Sequence, residues 1–68
     1  MTHTKLEYAL AWKRNRDTSD EAFHSGDAAL SAGAALMASR IANEYRSTFG
    51  LKSTDDAVAE MRQLLKRK

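Results

Sequence analysis

Residues 18–50 read TSDEAFHSGDAALSAGAALMASRIANEYRSTFG, and this stretch decides the fold. It has no proline, and its apolar residues are mostly alanine, leucine and methionine, with aromatics toward its ends. Alanine, leucine, methionine, glutamate and arginine are strong helix formers, whereas strands favour β-branched residues. Thr18-Ser19-Asp20-Glu21 has the pattern of a capping box, a hydroxyl residue followed three positions later by glutamate. The pattern predicts a helix that starts near Ser19 and runs to about Phe49, roughly 45 Å long at a rise of 1.5 Å per residue. Its weak point is Gly26, where glycine costs about 1 kcal/mol against alanine. Ser25 or Asp27 beside it could cap a fresh start, so a break there stays open.

Two faces of this long helix set an expectation about assembly. Phe23, Leu30, Met37, Ile41, Tyr45 and Phe49 form an apolar stripe. Ala22, Gly26, Ala29 and Gly33 form a second stripe of small residues, which lets another helix approach closely and gain dispersion contact along a seam. A dimer seam made of Ala22, Gly26, Ala29 and Gly33, with Leu30, Met37 and Ile41 beside them, is therefore expected.

Moving outward, Phe49-Gly50-Leu51 reads as a left-handed glycine cap with Leu51 folding back toward Tyr45 or Arg46. Ser53-Thr54-Asp55-Asp56 then opens another helix, with acids in its first turn to suit the helix dipole. Its apolar residues Ala57, Val58, Met61, Leu64 and Leu65 share one face. On the other side, Thr4 and Glu7 form a capping box, and Leu6, Tyr8, Ala9, Leu10 and Trp12 follow at helical spacing. The polar run Lys13-Arg14-Asn15-Arg16-Asp17 is read as the end of that first helix. The expectation is a single all-α domain over residues 1–68. It has a short, a long central and a short helix, arranged as a helical hairpin within a homodimeric bundle.

Composition bounds the rest. The chain has 68 residues and no cysteine, so a second subunit replaces disulfides as the expected support of a small core. Absence of cysteine also fits a reducing compartment. Met1-Thr2-His3-Thr4 leads into no apolar run, so no signal peptide is read, and Ala28 to Ala42 is too short to span a bilayer. A cytoplasmic location without membrane contact is the default. Net charge is +2, which permits nucleic-acid contact without demanding it.

Trp12 with Lys13, Arg14 and Arg16, and the cluster Lys66, Arg67 and Lys68, are the possible partner or nucleic-acid contacts. Basic side chains would neutralise phosphates and an indole would stack on a base. Positive charge also belongs at helix C-termini, which explains both clusters without a ligand. A DNA-reading helix-turn-helix over Ile41–Leu65 is disfavoured, because Arg46 and Asp56 stand where a packed turn needs small and apolar residues, and Asp55 and Asp56 would repel phosphate. Glu21 and His24 have the Glu-x-x-His spacing of carboxylate-bridged metal bundles, but Glu21 is already assigned to a cap, and no metal or cofactor is expected. No nucleophile constellation is present, so the chain is not expected to be an enzyme.

Gly50-Leu51-Lys52-Ser53 followed by Asp56-Ala57-Val58 resembles the helix-turn-helix half of ribbon-helix-helix antitoxins. That family implies an N-terminal β-strand, which would fall on Ala32–Met37, a segment of helical composition. The family is therefore not assigned. The expected function is a non-catalytic protein–protein interaction module, an adaptor or inhibitor acting as a homodimer on a larger protein. Small helical proteins of bacteria, phages and mobile elements are the analogy. A small nucleic-acid-binding regulator using the basic helix ends is the alternative.

Overall fold

The computed structural model describes residues 3–66, and within them the chain is all-helical with no strand. Three helices follow in order: α1 (Lys5–His24), α2 (Ala28–Phe49) and α3 (Thr54–Lys66). They form a compact unit with a radius of gyration of 12.2 Å.

Three of the expected boundaries stand where the sequence puts them. At Thr4 both halves of the capping box form: the Glu7 amide donates to the Thr4 hydroxyl at 3.2 Å, and the Thr4 amide to the Glu7 carboxylate at 2.7 Å. This bond to the ionised form holds the Glu7 carboxyl below its ordinary pKa. Gly50 is left-handed at φ 70°, and the Leu51 amide donates back to the Arg46 carbonyl at 2.9 Å. The Ser53 hydroxyl accepts from the Asp56 amide at 3.2 Å and opens α3.

The first and second helices differ from the expectation. α1 does not end at the Lys13–Asp17 run. It continues through Ser19 to His24 and is 20 residues long, close to the 22 of α2, so the short–long–short pattern and the Ser19–Phe49 helix are both corrected. Asn15 and Thr18 sit inside the helix because their side chains bond the carbonyls of Ala11 and Arg14 four residues back, at 2.9 and 3.0 Å. Polar residues at caps and polar residues that back-bond look the same in sequence. Ser19 is buried rather than capping, and its hydroxyl donates across to the Ser31 carbonyl at 2.9 Å.

The break falls instead at Gly26. Its φ of 83° ends α1 in a Schellman turn, with the Asp27 amide on the Ala22 carbonyl at 2.8 Å and the Gly26 amide on Phe23 at 3.2 Å. Asp27 then caps α2 by accepting from the Leu30 amide at 3.0 Å. One residue thus ends a helix and the next begins another. The return is antiparallel, since Ser19 meets Ser31 near the turn and Tyr8 meets Glu44 at 3.1 Å far from it.

α1 and α2 pack through small residues. Ala34, Ala38 and Ala42 stand one turn apart on α2, followed by Tyr45, and all four are buried. Ala38, Ala42 and Tyr45 share one cluster with Tyr8, Ala9 and Trp12 of α1. α3 contributes Ala57 and Met61 to the same cluster, with Val58, Leu64 and Leu65 at its edge. Tyr8, Tyr45 and Phe49 meet edge-to-face or tilted, with centroids 4.7–5.8 Å apart, and each such pair adds about 0.5–1.5 kcal/mol beyond its burial. The expected stripe on α2 is therefore shifted by part of a turn: the alanines face inward, while Leu30 and Met37 are exposed.

A polar chain fastens α3 to both other helices. Buried Tyr45 donates its hydroxyl to the Glu60 carboxylate, and Lys5 pairs with that carboxylate at 2.9 Å. Both partners favour the ionised form, so the Glu60 carboxyl is held below its ordinary pKa. Burial, reinforced by this bond, pushes the Tyr45 phenol up, so it stays a donor at neutral pH.

Two expectations follow from these features. Gly26→Ala should destabilise by about 1 kcal/mol, because alanine resists positive φ. Gly33→Ala should stabilise by up to about 1 kcal/mol, because nothing lies within 4 Å of the added Cβ in mid-helix. Equal effects in thermal melts would contradict the turn described at Gly26. For Glu60, the folded pKa lies below the unfolded one. Its stabilisation is present above the unfolded pKa and is lost as pH falls through the folded value. Melts across the acid limb should show this loss, and Tyr45→Phe should flatten it.

Candidate functional site

The interior is built mainly from alanine, with four larger side chains at its centre, and several large apolar residues lie outside it. Leu6, Leu10, Phe23, Leu30, Leu36 and Met37 are all exposed, Phe23 most of all at 72% and Leu36 at 54%. α3 has 13 residues and spans about 20 Å, whereas the 22 residues of α2 span about 33 Å. The shared cluster draws on α1 only as far as Trp12 and on α2 only from Ala38 onward. The end of the molecule near Gly26, with Phe23, Leu30 and Leu36, lies beyond that cluster.

The residues expected as a dimer seam are dispersed. Ala22 belongs to α1 and is buried at 3% exposure inside its own protomer. Gly26 occupies the turn, while Ala29, Gly33, Leu30 and Met37 are exposed on α2 and Ile41 is half-buried against the core. A single helix carrying Ala22, Gly26, Ala29 and Gly33 as one stripe does not exist, because the left-handed turn at Gly26 separates the first from the last two. Leu30, Met37 and Ile41 keep their common face on α2.

The basic cluster around Trp12 is also divided. Trp12 is 7% exposed and packs in the core, so its face is not an open stacking platform. Arg62 of α3 lies over its ring, 5.6 Å from the centroid. Lys13 is tied to Asp17 at 2.8 Å. Arg16 borders a hollow with Trp12, Ser39, Asp55 and Arg62 on the α3 side. Arg14 borders a different groove, between α1 and α2. These residues lie in the middle of α1, so the helix-end explanation of their charge does not hold for them. Lys66 closes α3, while Arg67 and Lys68 lie outside the described residues.

The groove at Arg14 has a volume of about 450 Å³. Leu10, Ala11 and Ile41 line its apolar middle; by their places on α1 and α2, His3, Glu7 and Glu44 stand toward one end and Arg14 toward the other. Glu21 and His24 fall in the last turn of α1, and among the described residues no three His, Asp or Glu side chains are grouped to hold a metal ion. No described helix is long and apolar enough to cross a membrane.

Sequence reasoning missed the Glu60–Tyr45–Lys5 anchor, the Ser19–Ser31 contact and the exposure of Phe23 and Leu36. A signal for the packing face was available: Ala34, Ala38 and Ala42 recur every four residues. Comparison with protein families, with curated proteins and with solved structures finds no match for this chain.

Proposed function

We propose that this chain is a small, non-catalytic protein-interaction module, a helical hairpin with a third helix docked at one end, acting as a homodimer. It serves as an adaptor or inhibitor that offers helical faces to a larger protein. The observation that carries this reading is the exposure of Leu6, Leu10, Phe23, Leu30, Leu36 and Met37 around an interior in which six of the ten buried apolar residues are alanine. Contiguous apolar exposure is disfavoured in an isolated soluble chain and marks interaction surfaces. Helical anchors at such spacing suit docking into a groove of another protein.

The shifted titratable groups support the same reading. Glu7 serves a cap, and Tyr45 and Glu60 fasten α3, so each has a structural role. The nucleic-acid alternative draws less support, because Lys13 is neutralised locally and Arg14 and Arg16 border different hollows. The cytoplasm is the proposed location.

Capture from a lysate of the source cells, with nuclease and moderate salt, tests the choice. A stoichiometric protein partner that survives nuclease is expected. Recovery of nucleic acid alone, lost on nuclease treatment, would overturn the reading in favour of the regulator. Leu30→Glu should abolish capture while shifting stability by no more than about 0.5 kcal/mol, as surface substitutions usually do. Retained capture by this variant would remove the turn end of α2 from the docking surface.

A further inference from the structure

We propose that the groove between α1 and α2 is the homodimer interface, and that a second copy fills it across a two-fold axis passing near Leu10 and Ala11. The inference rests on the homodimer reading above and specifies its face and register. Charge distribution points to this occupant. Along α1, Glu7 and Arg14 are seven residues apart, two helical turns or roughly 10 Å. Leu10 and Ala11 lie midway between them. Glu44 stands at the Glu7 end, since its carboxylate accepts the Tyr8 hydroxyl at 3.1 Å. The groove therefore has an acidic end, an apolar middle and a basic end.

Arg14 and Glu44 have no ion-pair partner among the described residues, whereas Glu7 has the His3 ring 3.9 Å away. A two-fold axis through the middle exchanges the ends. It sets Arg14 of each copy against the partner's Glu7 and the partner's Glu44, twice per dimer. An isologous interface must be self-complementary in this way, and this groove is. The apolar middle is self-complementary as well, the exposed Leu10 of each copy entering the partner's groove beside Ala11 and Ile41. Leu6 and Met37, one turn from Leu10 and Ile41 and exposed, extend it.

Arg14→Glu and Glu44→Lys provide the test, read by sedimentation equilibrium with circular dichroism as the check on helix content. Glu44 is chosen over Glu7 because Glu7 also caps α1. The wild-type chain should weigh twice the 7.6 kDa protomer. Each variant alone sets like charges together at both ends and should weaken the dimer by about tenfold or more. An equimolar mixture should restore it, because Glu introduced at position 14 of one copy then faces Lys introduced at position 44 of the other. A dimeric wild type with both variants unaffected overturns this face and leaves the homodimer reading standing. Loss in both variants without recovery in the mixture overturns the register. A wild type that stays monomeric overturns both the interface and the homodimer.

Discussion

The close approach of α1 and α2 over an alanine face is the constraint from which the rest of the structure follows. Ala38 and Ala42 present almost no side chain, and Trp12 and Tyr8 of the opposing helix pack in one cluster with them. Close approach maximises dispersion contact per unit of buried length, but it encloses little volume. A narrow interior has no room for six further large aliphatic and aromatic side chains, and these lie outside. The apolar exterior is thus a consequence of how the interior is made. A protein of this size that leaves six large apolar side chains exposed draws less hydrophobic free energy from folding than burying them would supply.

α3 completes the interior only at one end. Met61 and Ala57 close the cluster, and the Glu60 carboxylate joins Tyr45 and Lys5 across two helices. This polar joint does what apolar burial alone does poorly: it selects one seating for a short amphipathic helix. The hydroxyl of Tyr45 is satisfied by Glu60, so its burial leaves no orphan donor. The Gly26 end has no equivalent closure from α3, and Ser19 and Ser31 hold the helices together there through their hydroxyls.

What could be read from residues alone was governed by how local each signal is. The Thr4–Glu7 box, the Gly50 cap and the Ser53 start are complete within four or five residues, and all three form. Thr18 to Glu21 has the same letters as a cap but lies inside α1, toward its C-terminal end, because the Thr18 hydroxyl can bond back to Arg14 as well as forward. The two outcomes differ only in tertiary context. Gly26 was visible as a weak point, yet its positive φ depends on α2 folding back on α1. The same limit applied to the surface. Which apolar residues face out depends on the rotation of α2 about its axis, and Ala34, Ala38 and Ala42 set that rotation in competition with Leu30 and Met37. Close packing favoured the alanines. The placing of Arg14 and Arg16 on different hollows follows from α1 continuing as a helix through them, and a run of charges shows this only once the helix is known to continue.

Trp12 is the single tryptophan of the chain and sits in the core beneath the guanidinium of Arg62. Its surroundings therefore include one cation supplied by α3 and an alanine bed supplied by α2. The indole is a built-in optical reporter of α3 docking. Departure of α3 would remove the overlying charge and admit water to one side of the ring while the α1–α2 pair persists, whereas global unfolding would also strip away the alanine bed. Emission and far-ultraviolet dichroism recorded on the same sample thus separate peeling of one helix from collapse of the whole, without any label added to the protein.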